Sequence, residues 1–446
     1  MSALLKNKLH ARAAQGNPIR VGFVGSGRMG TGAICQIGQM AGMEVTAIAD
    51  INTGRAVEAF EKSEVKAQLV SVCNEVSEAK RLIGEGQRIV TQDWRLLLEI
   101  GVDVIVESTG VPEVGAEVAM QAILNHIHVV MLNVETDVVV GPILTSMADR
   151  SGVVYTVSSG DEPGLIGELY DRYTSLGFKV VATGKSPSSI GEYDRYATPD
   201  SVREDAQRLK INPHFLVTFR DATKTMIEMA AVSNYTGLRA DVRGMHGPVA
   251  GVEEICRFFR PKADGGELNG TGVIDYARPL KNEDGSIDFF RSVTPGVFMV
   301  IYTDNQQIRE DLDYLDVYGD NGYYVMHTPY HLVTNEIPLS IVQAVDFAEP
   351  TVYPKYGLVS EVFAAAKKPL KKGETIDGAG GFAVYSLVDD YETCKQENVV
   401  PLGLLTNAKL TRDVEKDQVI TYDMVEINKD SVLYHLRCLQ ESMETA

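Results

Sequence analysis

The sequence predicts an α/β protein in three parts: a doubly wound N-terminal domain over residues 1–160, a central α+β domain over 161–348, and a small, mostly-β module over 349–446. Three observations predict it. A glycine turn, GSGRMG (25–30), stands between an apolar strand and a helix. Strand and helix patterns alternate up to about residue 160, and after that strands run repeatedly into charged loops. Past EPTVYPKY (349–356), short β-type runs alternate with glycine turns.

Each element follows in order. The basic stretch MSALLKNKLHARAAQG reads as a short surface helix or arm over residues 1–17. IRVGFVG (19–25) is a buried strand, TGAICQIGQMAG a helix, and EVTAIAD a second strand ending in Asp50. Strand, glycine turn, helix and strand, with an acid about 20 positions past the last glycine, make a Rossmann dinucleotide fingerprint. Gly25 makes the tight turn, Gly27 admits a pyrophosphate to the backbone, and Gly30 lets helix and strand pack. The phosphates sit on the helix N-terminus, whose first turn carries Arg28 and Met29. Asp50 favours a free ribose hydroxyl, hence NAD. Arg28 and Arg55 are close enough in sequence to meet a 2′-phosphate, hence NADP, and they set the expectation of NADPH.

The alternation continues through strand DVIVESTG (103–110), helix VPEVGAEVAMQAILNH, strand HVVMLNVE (128–135), helix PILTSMADRSG and strand VVYTVSS. Thr109, Gly110 and Asn133 fall at strand carboxyl ends, where doubly wound sheets bind cofactor. His126 and His128 alternate onto one strand face and read as edge residues.

After residue 160, three strands deliver charge to their ends. YTVSS leads to Asp161 and Glu162, KVVATG to Lys185, Ser186 and Glu192, and HFLVTF to Asp221 and Lys224. Three such clusters in one stretch indicate one site. Asp221 reads as the N-cap of an apolar-periodic helix, yet Lys224 stands where a capping box would place Glu or Gln. A cation there opposes the helix dipole, and its pairing with Glu228 runs in the weaker orientation. DVRGMHGP places Arg243 and His246 on a glycine-flanked loop. His327 and His331 have helical metal-ligand spacing, but Pro329 between them breaks such a helix. The helical PLSIVQAVDFA returns toward the first domain before the break at EPTVYPKY.

Composition bounds the function. The chain has 446 residues and is 44% apolar, enough for two or three domains with a sizeable core. A net charge of −19 argues against nucleic acid or an anionic membrane as partner. No apolar stretch reaches membrane-spanning length. Five scattered cysteines without CxxC spacing read as free thiols in a reducing cytoplasm.

GSGRMG, STGVPEVG, HVVMLNVE, SSGDEPG and FRDATKTMIEMA together resemble the homoserine-dehydrogenase-like superfamily. Within it they are most similar to the deoxyxylulose-phosphate-reductoisomerase-like (DRL) enzymes. LKKGETIDGAGG and LTNAKLTRDVEKDQVITYDMVE resemble a SAF module. The resemblance implies NADPH-dependent conversion of 1-deoxy-D-xylulose 5-phosphate to 2-C-methyl-D-erythritol 4-phosphate in isoprenoid precursor synthesis. It also implies a homodimer and a divalent metal, Mg or Mn. Homoserine dehydrogenases proper pair an aspartate and a lysine four apart, whereas Asp221 and Lys224 are three apart, which speaks against homoserine itself.

Matched to that chemistry, Lys224 is the expected general acid, its pKa lowered by the helix terminus and nearby cations, with Lys185, Asp221 and His331 as further catalytic candidates. Arg243, His246, Ser186 and Glu192 are candidates for binding the phosphorylated sugar, and Asp161, Glu162 and Glu228 for holding the metal. The bland alternative for Lys224 is an outward swing to pair with Glu228 in water. Two other functions fit the sequence: a metal-independent dehydrogenase of another small hydroxy acid or polyol phosphate, and a non-catalytic nicotinamide-nucleotide sensor whose tail binds a sugar.

Overall fold

The computed structural model describes residues 2–187 and 192–444, so 188–191 of the expected loop KSPSSIGEYDR lie outside the described residues. The chain divides into two compact units, each built from separated stretches. The first comprises the chain up to Gly164, Leu332–Tyr353 and the chain from His435; the second comprises Leu165–His331 and Pro354–Tyr434.

The first unit holds seven strands: β1 (Ile19–Val24), β2 (Met43–Ala49), β3 (Val70–Val72), β4 (Arg88–Thr91), β5 (Val104–Glu107), β6 (His128–Met131) and β7 (Tyr155–Val157). All pair in parallel in the order β3-β4-β2-β1-β5-β6-β7. The order reverses between β1 and β5, so the glycine turn after β1 opens at the switch point where such sheets bind ligands. Ile19, Val21 and Phe23 of β1 are fully buried, as expected of a strand covered on both faces. Ile337, Ile341 and Val342 of the helix Val333–Val342 join that core beside Leu5 and Ile34. The returning helix is therefore part of the first unit.

Two readings near β6 need correction. His126 lies in a turn with φ 57 rather than on the strand, while His128 begins the strand and its Nδ1 accepts from the Val154 amide at 3.0 Å. The strand HVVMLNVE stops at Met131, because Asn133 caps a helix running Val134–Ser151 and accepts from the Thr136 amide at 3.2 Å. Pro142, expected near the helix start, sits inside it. A proline there removes a hydrogen bond and disturbs its neighbours. The buried Gln440 side chain repairs the gap: its oxygen accepts from the Ile143 amide at 3.0 Å and its nitrogen donates to the Val139 carbonyl at 3.2 Å.

The second unit holds β8 (Lys179–Lys185), β9 (Arg239–Ala240), β10 (Val273–Tyr276), β11 (Val297–Tyr302), β12 (Gly319–Asp320) and β13 (Tyr323–Thr328), in the order β12-β13-β11-β8-β10-β9. A hairpin of β14 (Ser360–Ala366) and β15 (Val384–Asp390) and a small pair of β16 (Lys409–Leu410) and β17 (Val425–Glu426) complete it. Helix Thr223–Thr236 packs against β8 and β10 and also against the β14–β15 hairpin. Thirteen of its residues are buried, Thr225, Glu228, Ser233 and Asn234 among them, so no face is left for water. Ser233 and Asn234 bond to the hairpin region. Ser233 Oγ lies 2.7 Å from Ser360 Oγ, and Asn234 Oδ1 accepts from the amides of Val359 (2.8 Å) and Ser360 (3.1 Å). The C-terminal module is thus β-rich as expected but compact with the central segment rather than apart from it.

HFLVTF was expected as a strand and is instead the helix Pro213–Arg220. Asn212 caps it, accepting from the His214 amide at 2.9 Å, and Pro213 occupies its first position. Phe215 and Phe219, four apart, meet edge to face at 4.9 Å between ring centres. Start signals and helical spacing outweigh the β-favouring composition. Among the described residues no helix is long and apolar enough to cross a membrane.

Candidate active site

The glycine turn is built as the motif requires. Gly25 has φ 93, and a Cβ on Gly30 would stand 2.6 Å from the Gly25 carbonyl oxygen. Neither position tolerates a side chain. Gly27 differs: it caps helix Arg28–Gly38 without any side-chain bond, and a Cβ on it would meet nothing within 4 Å. First-turn amides and an open approach fit a pyrophosphate. Met29 lies in that turn and is partly buried, whereas Arg28 and Arg55 are exposed and make no ion pair among the described residues.

Asp50 is committed to the turn itself. Its Oδ2 accepts from the Ser26 amide at 2.8 Å and the Ser26 hydroxyl at 2.6 Å, and its Oδ1 accepts from the Asn52 amide at 2.8 Å. Three bonds from the turn thus orient this carboxylate at the end of β2.

At the end of β5, Glu107 is fully buried and accepts from both the amide and the hydroxyl of Thr109. Gly110 follows with φ 68, and Asn133 Nδ2 donates to the Val111 carbonyl at 3.1 Å. Burial pushes the Glu107 carboxyl up to about 7 against the opposing Thr109 bonds. Buried Asp137, bonded by Tyr155 at 3.1 Å, is pushed up by burial to about 7 as well. Neither acid was singled out from the sequence, where a glutamate inside an apolar strand carries no motif.

Asp161 and Glu162 stand in the first unit at the start of helix Glu162–Ser175, both buried.

Within the second unit, Lys185, Lys224 and Glu228 come together. Lys185 ends β8, and its ammonium is bonded directly to Glu228 Oε2. Lys224 Nζ lies 3.7 Å from Glu228 Oε1. The side chains of Lys185 and Glu228 are 1% and 2% exposed and that of Lys224 12%, so Lys224 does not swing into water. A buried carboxylate between two ammonium groups has a heavy desolvation cost and is poorly explained by stability alone.

Asp221 is not the helix N-cap. It closes the preceding helix, and Ala222, with φ 63, takes the cap position. Asp221 Oδ1 still accepts from the Thr223 amide at 2.9 Å, while Oδ2 faces the Lys367 ammonium at 2.9 Å. Burial raises its carboxyl and the lysine opposes that shift. Lys367 was overlooked within AAAKKPLKKG, where a run of lysines conceals the one that turns inward.

The substrate-binding candidates separate. Ser186 is buried and its hydroxyl has no partner among the described residues. His246 bonds Asp275 through Nδ1 at 2.7 Å, a contact that raises its pKa and favours a charged ring. Two candidates already have partners. Arg243 is bound by Asp389 and Glu397, each at 2.7 Å. Glu192 is an exposed partner of Lys281. His331 Nδ1 lies 2.8 Å from the Pro295 carbonyl.

Three family profiles match the chain in succession: the homoserine dehydrogenase NAD binding domain over residues 25–157, the catalytic domain of oxidoreductase DRL over 160–337, and the SAF domain over 362–426. No curated protein matches the sequence. Among solved structures, a probable dehydrogenase from Thermotoga maritima is 16% identical, covering 74% of this chain and 90% of its own, with a TM-score of 0.40. A homoserine dehydrogenase from Thiobacillus denitrificans is 16% identical over 90% of this chain and 97% of its own, with a TM-score of 0.40. A DOX-P reductoisomerase with fosmidomycin and magnesium is 14% identical over 49% and 58%, with a TM-score of 0.36.

Proposed function

We propose, from the successive matches to a homoserine dehydrogenase NAD binding domain, the catalytic domain of oxidoreductase DRL and a SAF domain, that the chain is a DRL-type, NADPH-dependent reductoisomerase. Its substrate in this reading is 1-deoxy-D-xylulose 5-phosphate and its product 2-C-methyl-D-erythritol 4-phosphate. The observation that carries the chemistry is the buried group of Lys185, Glu228 and Lys224. Reducing an aldehyde leaves an alkoxide that must gain a proton, and isomerisation requires a proton to leave a hydroxyl. Lys224, the more exposed lysine, gives the proton to the carbonyl oxygen. Lys185 stays against Glu228 and keeps that carboxylate oriented. The Ser186 hydroxyl and the His246 ring, whose charged form the Asp275 hydrogen bond favours, bind the sugar phosphate.

The nicotinamide, when bound, supplies the hydride, and a divalent cation (Mg or Mn) polarises the substrate oxygens. Asp161 and Glu162, adjacent buried carboxylates, offer the hard oxygens such a cation takes. The exposed Arg28 and Arg55 support NADPH over NADH. A homodimer remains part of the proposal, and sedimentation tests it.

The test is oxidation of NADPH by purified protein with 1-deoxy-D-xylulose 5-phosphate, with and without EDTA. Turnover abolished by EDTA and restored by Mg or Mn supports the reading. No turnover on this substrate sinks it. The match to the homoserine dehydrogenase NAD binding domain favours a second reading, a dehydrogenase of another small hydroxy acid or polyol phosphate. That reading predicts EDTA-resistant oxidation of such a compound.

A further inference from the structure

The SAF segment is where the reaction chemistry gives least guidance, yet it reaches the first turn of the Lys224 helix. Lys367, just after β14, is 5% exposed. Its ammonium donates to the carbonyls of Ala197 at 2.6 Å and Gly381 at 2.9 Å and faces Asp221 Oδ2 at 2.9 Å. Asp221 in turn holds the Thr223 amide across Ala222, whose left-handed φ of 63 is unfavourable for a residue with a Cβ. One position on, the Thr223 hydroxyl bonds Ser386 Oγ on β15 at 3.1 Å. Lys224 follows immediately. The strained link thus sits between an acid neutralised by one hairpin strand's end and a hydroxyl bonded to the other strand.

We propose that Lys367 is a positioning residue through which the SAF segment sets Lys224: by neutralising Asp221 it holds the Asp221–Thr223 turn, and thereby the placement of Lys224 beside Glu228. The SAF segment is then part of the catalytic apparatus, not an appended binder. That last step rests on the proposal that Lys224 acts on substrate; the placement itself does not.

The test compares the full-length chain with K367M, D221N and D221N/K367M. Lys224 reactivity is read by competitive acylation with acetic anhydride across pH and quantified by mass spectrometry. This readout needs no substrate, and kcat and KM are measured beside it. K367M is expected to change the Lys224 acylation rate by about fivefold or more, and the double variant to return it to within about twofold, since neighbouring charges that act as one unit are not additive. In K367M kcat should fall more than KM rises. A folded K367M whose Lys224 reacts as in the parent overturns the proposal, as does a double variant no better than the single. If K367M is recovered only as aggregate, the double variant decides: renewed folding with parental Lys224 reactivity supports the coupling, and continued aggregation overturns it. If Lys224 reactivity follows the expected pattern while no chain turns over 1-deoxy-D-xylulose 5-phosphate, the positioning stands and the substrate assignment falls.

Discussion

Two helices of this protein begin in opposite ways. Helix Arg28–Gly38 starts on bare glycine, with no side chain capping its amides and open space above Gly27. Helix Thr223–Thr236 starts on a left-handed alanine, with an internal carboxylate on its first amide and a lysine in its first turn. Both present the positive end of a helix dipole. The first offers that charge outward to a ligand's phosphates. The second satisfies it from within and crowds cations beside it. In the proposed reading one serves binding and the other the movement of a proton.

The strongest way to break this contrast is at Lys224. Lys224→Ala should lower kcat by about 10²–10⁴-fold, the range for an acid–base group. Stability should fall by only about 1 kcal/mol, because Glu228 keeps Lys185. Lys224→Arg should not restore kcat, since a guanidinium does not give up its proton. Near-parental turnover in Lys224→Arg would reduce the lysine to an electrostatic clamp. Lys185→Met, by contrast, should cost about 3–5 kcal/mol in denaturant unfolding, because it strips the direct partner from a buried carboxylate.

The glycine turn gives the next effect. Gly27→Ala should weaken NADPH binding about tenfold by fluorescence titration while shifting stability by less than about 1 kcal/mol, because the added methyl meets ligand rather than protein. Gly30→Ala should damage both, since its methyl meets the Gly25 carbonyl. Equal behaviour of the two variants would remove the distinction between a glycine for the ligand and a glycine for packing.

A smaller effect concerns pH. Glu107 and Asp137 are both held at about 7 in the folded chain, above their unfolded values. Between about pH 4 and about pH 7 the native state therefore binds more protons than the unfolded chain, and stability falls as pH rises, by at most about 1.4 kcal/mol per pH unit for each group. Above about 7 the loss levels off. Unfolding by urea at stepped pH should show this slope, and Glu107→Gln should flatten its share. A slope unchanged in Glu107→Gln would place the titration elsewhere. The smallest effect is expected at Arg28 and Arg55: replacing both with Ala should cut the NADPH-over-NADH preference in kcat/KM about tenfold. An unchanged ratio would remove them from cofactor choice.

The first sheet was legible because its signals are local. GSGRMG and the alternation of strand and helix lie within short windows of sequence. The second unit was less so. HFLVTF has a strand's composition, but Asn212 and Pro213 start a helix ahead of it. Asp221 has the look of a cap, and only a lysine far along the chain shows what its carboxylate faces. Arg243 and Glu192 carry the right charge for a phosphorylated substrate's loops, yet other loops had already claimed them. Residue type reports what a group can do. Its partner, when distant in sequence, decides what is left for it to do.

The helix that carries Lys224 is buried on every side, and part of its cover arrives late. The Thr223–Ser386 bond joins residues 163 positions apart. During synthesis the helix leaves the ribosome long before β14 and β15 exist, at roughly 5–20 residues per second. For that interval its second apolar face has no strand to meet, and the nascent chain depends on chaperones or on speed to avoid sticking. A chain stopped before Ser360 would never acquire the cover, so a truncated central segment should be an aggregating fragment rather than a slow enzyme.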